Sequence, residues 1–248
     1  MATKSGRKER PSSEEEAQAR GGRPRSSSLV QWLGGGAQLA FVVAAATLVY
    51  SFVAVSREGE TRRRCGSYCL LHPNYAGDNR RILSFSLPDM KGNQVTSDSL
   101  RGKVVVLNFW TKTCGPCLQE MPDIAELAKV VKDRKDVAVV TISTDEGPDA
   151  VKDTLKSVLR EEPLFSILFD PESEIVGGKF GTHLFPETYI LDKRGVIRAR
   201  FDGGRDWDSS AMVELIDELR ADTYCPVTFR ESRPEGDGKA VCESFGGG

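Results

Sequence analysis

Lys103-Val104-Val105-Val106-Leu107-Asn108-Phe109-Trp110-Thr111-Lys112-Thr113-Cys114-Gly115-Pro116-Cys117 is the stretch on which the fold turns. Val104 to Phe109 is a short apolar run entered from Gly102-Lys103 and reads as a buried strand. Pro116 to about Val131 reads as a helix, with Met121-Pro122 placed to kink it. The Cys114/Cys117 pair therefore falls where a strand ends and a helix begins. At that point the helix offers unpaired N–H groups and the positive end of its dipole. Both favour a thiolate over a thiol, whose free pKa is about 8.5. Cys114, at the exposed helix tip, is the expected attacking sulfur. Cys117, one turn in, is expected to be more buried and to resolve a mixed disulfide. Gly115 and Pro116 set the turn between them, and Pro116 stiffens it.

A Cys-x-x-Cys pair is also half of a zinc site. The other half would have to come from Cys65-x-x-x-Cys69 with His72. The strand-to-helix position of Cys114 favours redox chemistry, and no metal is assigned.

Working outward, Val137 to Ile142 reads as a second buried strand, Pro148 to Leu159 as an amphipathic helix and Phe165 to Phe169 as a short strand. Glu172 to Phe180 is expected to be helical. Thr188 to Leu191 and Val196 to Phe201 are strands around the turn Asp192-Lys193-Arg194-Gly195, and Ser210 to Arg220 is a terminal helix. Upstream, Leu83, Phe85 and Leu87 alternate with polar residues before the turn Asp89–Asn93, which predicts an early hairpin. The pattern is that of an α/β sheet covered on both faces. This domain is assigned to residues 82–220.

The flanks differ in composition. Residues 1–28 are rich in Ser, Arg, Glu and Gly, lack the apolar surface to offset their ordering entropy, and read as a disordered cytoplasmic tail. Residues 29–55 carry no charge, and Ala37 to Val55 is nearly all apolar, so this segment reads as a single transmembrane helix. A cleaved signal peptide has a shorter apolar core and a small-residue cleavage site, which Ser51–Ser56 does not resemble. Residues 56–81 show no clear period and read as a linker bearing Cys65 and Cys69. Residues 221–248 read as a loose, turn-rich tail bearing Cys225 and Cys242.

The chain has 34 basic and 36 acidic side chains, a balance that gives no global field for nucleic acid. The N-terminal tail is the more basic side of the span, which favours that tail in the cytoplasm, although close to the span the two sides are nearly equal. The even number of cysteines fits disulfides in an oxidising compartment. Cys65, Cys69, Cys225 and Cys242 all flank the α/β domain and are expected to form structural disulfides. Four cysteines allow three pairings. A bridge from the N-terminal segment to the C-terminal tail is favoured over two local bridges, or over a second redox pair feeding Cys114.

Three motifs in order carry a family resemblance. Lys103–Cys117 looks like the active-site strand and helix of thioredoxins. Phe85–Gly92 and then Leu100-Arg101-Gly102-Lys103 resemble the N-terminal hairpin of the membrane-anchored TlpA/ResA/CcmG-like family. Gly181-Thr182-His183-Leu184-Phe185-Pro186-Glu187-Thr188-Tyr189-Ile190-Leu191-Asp192 resembles that family's cis-proline loop and following strand.

The resemblance implies a thioredoxin-like fold with a central mixed sheet, an N-terminal hairpin extension and an anchor. It also implies an extracytoplasmic thiol:disulfide oxidoreductase on the periplasmic side of the cytoplasmic membrane. Such an enzyme reduces exported protein disulfides such as those of apocytochrome c, takes electrons from a membrane dithiol donor, and needs no cofactor. Pro186 matches the cis-proline that faces the dithiol. Glu120 matches an acidic residue that relays a proton to or from the resolving thiol, with a solvated helix carboxylate as the plain alternative. Asn108 stands where cytosolic thioredoxins carry a buried Asp, which makes Glu120 the better candidate. Trp110 packs beside the site by resemblance, or is simply a core aromatic. Two other readings use the same sulfurs. One is a Cu(I)-binding chaperone with Cys114, Cys117 and His183. The other is a peroxiredoxin-like thiol peroxidase built on Thr111-x-x-Cys114, against which Leu107 stands where that motif has proline.

Overall fold

The computed structural model describes residues 28–75, 80–230, 233–236 and 239–245, so the tail expected at 1–28 lies almost wholly outside the described residues. The chain divides into two compact units, Met1–Ala54 and Val55–Gly248.

The first unit holds most of the apolar run of helix α1 (Ser28–Leu71). Phe41, Val42, Leu48, Val49, Tyr50 and Phe52 are all exposed on it. A helix this long, apolar and unburied has the length and composition to cross a bilayer.

In the second unit α1 continues without a break through residues 56–71. The segment expected as a linker is therefore helical to Leu71, and irregular only beyond that residue. The reason lies in one buried face: Cys65, Tyr68 and Cys69 are sunk in the core, at a spacing that puts them on one side of the helix.

The hairpin expected upstream is present as β1 (Ser86–Pro88) and β2 (Gln94–Thr96), paired antiparallel. Its turn is held by Asp89, whose carboxylate accepts from the amides of Lys91 and Asn93. Next along the chain is a mixed five-stranded sheet, in the order β5-β4-β3-β6-β7. β3 (Val104–Trp110), β4 (Val137–Ser143) and β5 (Ser166–Phe169) are parallel; β6 (Glu187–Leu191) and β7 (Ile197–Asp202) return antiparallel. Every residue of β3 is buried, as a central strand between two covered faces requires.

Alternation along β3 divides the core in two. Val104, Val106 and Trp110 point to a face covered by α2 (Gly115–Val131), α3 (Pro148–Val158), α4 (Ser210–Arg220) and the end of α1. Val105, Leu107 and Phe109 point to the other. That face is covered by Phe85 and Leu87 of the hairpin, Leu100 of a short 3₁₀ turn, and the helical turn Glu174–Phe180. The helical turn is a wide π-type coil, anchored where the Asp170 carboxylate accepts from the amides of Ile175 and Val176.

The C-terminal segment is not loose. It forms β8 (Thr228–Arg230), β9 (Arg233–Glu235) and α5 (Lys239–Phe245), and buries Val227, Phe229, Val241 and Cys242. Two disulfides hold it to α1: Cys65–Cys225 and Cys69–Cys242. The tail that looked too polar to fold is thus ordered by covalent ties and by the aromatic contact of Phe229 with Tyr68.

Candidate active site

The site is built at the end of β3. Trp110 closes the strand fully buried, its indole N–H donating to Thr141 Oγ1 on β4 at 3.2 Å. The chain then crosses to α2 through Thr111-Lys112-Thr113. This loop is pinned by one buried carboxylate: Asp145 accepts from Thr111 Oγ1 (2.9 Å), from the Lys112 amide (2.8 Å) and from Ser143 Oγ (2.7 Å). Sequence reading missed Asp145, because its role depends on β3 and β4 ending side by side.

Cys114 is the N-cap of α2, and its sulfur accepts from the Cys117 amide at 3.1 Å. The expected helix-tip geometry is therefore present as a hydrogen bond to sulfur, of the kind that stabilises a thiolate. The two sulfurs are joined as a disulfide. Cys114 is half-buried and Cys117 fully buried, with Gly115 and Pro116 exposed between them. An incoming group can reach only the first sulfur.

The Phe185–Pro186 bond is cis. Glu187 pairs with Phe109 across the β3–β6 ladder, so Pro186 lies level with the end of β3 from which the dithiol loop departs. Its carbonyl accepts from the Gly203 amide, and the loop before it leaves Leu184 85% exposed and His183 exposed. Glu187, buried behind the proline, is bound by Thr182, Arg200 and Tyr189.

Glu120 is not a solvated helix carboxylate: it is 3% exposed. Oε1 accepts from Asn108 Nδ2 at 2.8 Å; Oε2 accepts from the Trp207 indole at 2.8 Å and the Arg205 amide at 3.2 Å. Burial pushes its pKa up, and the donors from Trp207, Asn108 and Arg205 pull against that without cancelling it. Asn108 also donates to Thr188 Oγ1, and its own Oδ1 is buried without a partner. The result is a buried acid, one helical turn beyond the resolving sulfur, that shifts readily to the neutral form. Trp207 escaped the sequence reading; it is far along the chain and reaches Glu120 only because β7 returns beside β6 and packs Phe201 against the indole. Among the described residues no cluster of three or more His, Cys, Asp or Glu side chains is arranged to hold a metal.

Residues 79–200 match the AhpC/TSA family. A thioredoxin-like protein, YneN, from Bacillus subtilis (strain 168) is 33% identical over 49% of this chain and 69% of its own length. The thiol-disulfide oxidoreductase ResA of Bacillus cereus (strain ZK / E33L) is 31% identical over 48% of this chain and 66% of its own. The chain belongs to the thioredoxin-like thiol–disulfide oxidoreductase family. A crystal structure of a candidate thiol:disulfide interchange protein DsbE from Chlorobium tepidum superposes with a TM-score of 0.51 at 26% identity. It covers 58% of this chain and 99% of the other. In this oxidoreductase the family match takes in the hairpin, the dithiol and most of the sheet; α1 and the disulfide-tied C-terminal segment lie outside it.

Proposed function

We propose that this is a membrane-anchored, extracytoplasmic reductase of exported protein disulfides, those of apocytochrome c included, recharged by a membrane dithiol donor. The observation that carries the redox role is the Cys117 amide directed at Cys114 Sγ at the tip of α2. The reduced Cys114 thiolate attacks one sulfur of a substrate disulfide, breaking that bond and releasing one substrate thiolate. Cys117 then attacks Cys114 Sγ, releasing the second thiolate and closing Cys114–Cys117. Two electrons pass to the substrate. Glu120 serves the second step, taking the Cys117 proton into a buried site where its neutral form is already favoured.

The anchor reading rests on the apolar run of α1. The outward orientation rests on Cys65–Cys225 and Cys69–Cys242, which suit an oxidising compartment. The full chain in detergent should reduce insulin disulfides. Cys114→Ser should abolish turnover, and Cys117→Ser should accumulate mixed disulfides. Unchanged turnover in Cys114→Ser removes the assignment. Protease added to spheroplasts should digest the domain; protection of the domain reverses the topology.

A further inference from the structure

The outer edge of β5 is only partly covered. Leu168 bridges Asp89 of the hairpin, and the other described strands leave Ser166 and Ile167 without a partner on that side. Backbone polar groups two residues apart point to the same side of a strand, so Ser166 directs its N–H and C=O outward as Leu168 does. Its side chain is exposed. Such an edge is a template for a further strand.

This edge borders a groove of about 670 Å³ between the hairpin turn, α3 and the segment leading into β5. Its floor is apolar, from Leu155, Leu159, Phe165 and Ile167. Its wall is cationic. Lys152 and Lys156 lie one turn apart on α3 and Arg160 comes after them; none of the three forms an ion pair among the described residues. The acids nearby are mostly engaged. Asp89 is satisfied by its own turn and Glu161 lies 3.8 Å from Lys129, while Glu162 is exposed on the lip.

We propose that this groove docks an extended acidic segment of a partner protein, added as a strand to the free edge of β5. Main-chain bonds to Ser166 would hold it, alternate apolar side chains would face Leu159 and Phe165, and its carboxylates would face Lys152, Lys156 and Arg160. Through β4, Ser166 is level with Leu107, three residues back from the end of β3 and two strands to the side. The groove is therefore separate from the dithiol, and an occupied edge leaves Cys114 open.

The test uses the full chain in zwitterionic nanodiscs, with the Cys114–Cys117 bond intact. The probe is a fluorescein-labelled, end-blocked decapeptide alternating valine and glutamate; the control alternates valine and lysine. Fluorescence anisotropy should show saturable binding of the acidic probe only. The variant Lys152→Glu/Lys156→Glu/Arg160→Glu should weaken it at least about tenfold, the sum expected of three surface ion pairs. Ser166→Pro, which removes an outward N–H without changing charge, should weaken it comparably. Bound probe should slow amide exchange in residues 164–168. Absence of saturable binding, equal binding of both peptides, or unchanged binding by the charge-reversed variant overturns the proposal. So does protection centred on the 183–186 loop, or loss of self-association, rather than of peptide binding, in the variant.

Discussion

The two outer disulfides are nested, and nesting gives a quantitative prediction. Each alone closes a long loop, with sequence separations of 160 and 173. In the chain-entropy model a loop of that size stabilises by about 5 kcal/mol. Once one bridge exists, the other closes only a short ring, running through residues 65–69 and 225–242, of roughly 21 residues, for about 3 kcal/mol. Removing either bridge by paired Cys→Ala substitution should therefore cost about 3 kcal/mol, because the survivor still closes the long loop. Removing both should cost about 8 kcal/mol, more than the two separate losses together. That is comparable with the whole stability of an ordinary domain, so the variant lacking all four cysteines should be unfolded in buffer at 25 °C. Guanidinium unfolding of the full chain in detergent, followed by tryptophan emission, measures this without disturbing Cys114–Cys117, since Trp110 and Trp207 are fully buried. A four-cysteine variant that still unfolds cooperatively, with a loss no greater than the sum of the two single-bridge losses, refutes the nested-loop reasoning. Non-reducing peptide mapping that finds Cys65–Cys69 and Cys225–Cys242 refutes its premise.

Asp145→Ala should free the loop before Cys114 and leave the Lys112 amide and two hydroxyls without an acceptor. A loss of about 1–3 kcal/mol in stability should accompany an altered Cys114 thiolate titration at 240 nm, and Asp145→Asn should restore part of both. Trp207→Phe removes a donor that favours the charged form of Glu120. The Glu120 pKa should rise further, and the acidic limb of the turnover–pH profile should move to higher pH; an unmoved limb separates Glu120 from the rate-limiting proton transfer. Glu218, half-buried on α4 with Ser67 donating to it, is pushed by burial from an ordinary 4.5 up to about 7. A raised carboxyl pKa stabilises the fold fully below pH 4.5 and loses that contribution as pH rises through about 7. Glu218→Gln should therefore raise the Tm at pH 8 and not at pH 5; an equal gain at both would rule out titration as the cause.

The features legible in the sequence are those that depend on neighbours in the chain. The run Val104–Phe109 is apolar because a central strand is covered on both faces, and Cys114 comes soon after it, so strand, helix tip and nucleophile are legible together. Pro186 came from a motif whose residues are contiguous. The helix at 56–71 was not legible, because Arg57, Glu58, Gly59 and Glu60 break any apolar period and the face that settles it is three residues wide: Cys65, Tyr68 and Cys69. The C-terminal segment failed for a related reason. Val227, Phe229 and Val241 are too few to announce a core, and the segment is ordered by bridges to cysteines 160 and 173 positions away.

Glu120 lies between these cases. Its place after Cys117 marked it as a candidate, but its acidity is set by partners that no local pattern joins: Asn108 from β3, Arg205 and Trp207 from the turn after β7. A carboxylate at that helix position in water would titrate normally and hold no proton at neutral pH. Only when the return of β7 seals Trp207 over it does burial outweigh the three donors and raise its pKa. The residue identity is therefore a sequence fact, while the capacity to take a proton from Cys117 belongs to the closed sheet. Loosening the β7–α4 turn should accordingly lower the Glu120 pKa and slow resolution of the mixed disulfide while leaving attack by Cys114, which depends on the tip of α2, at its original rate.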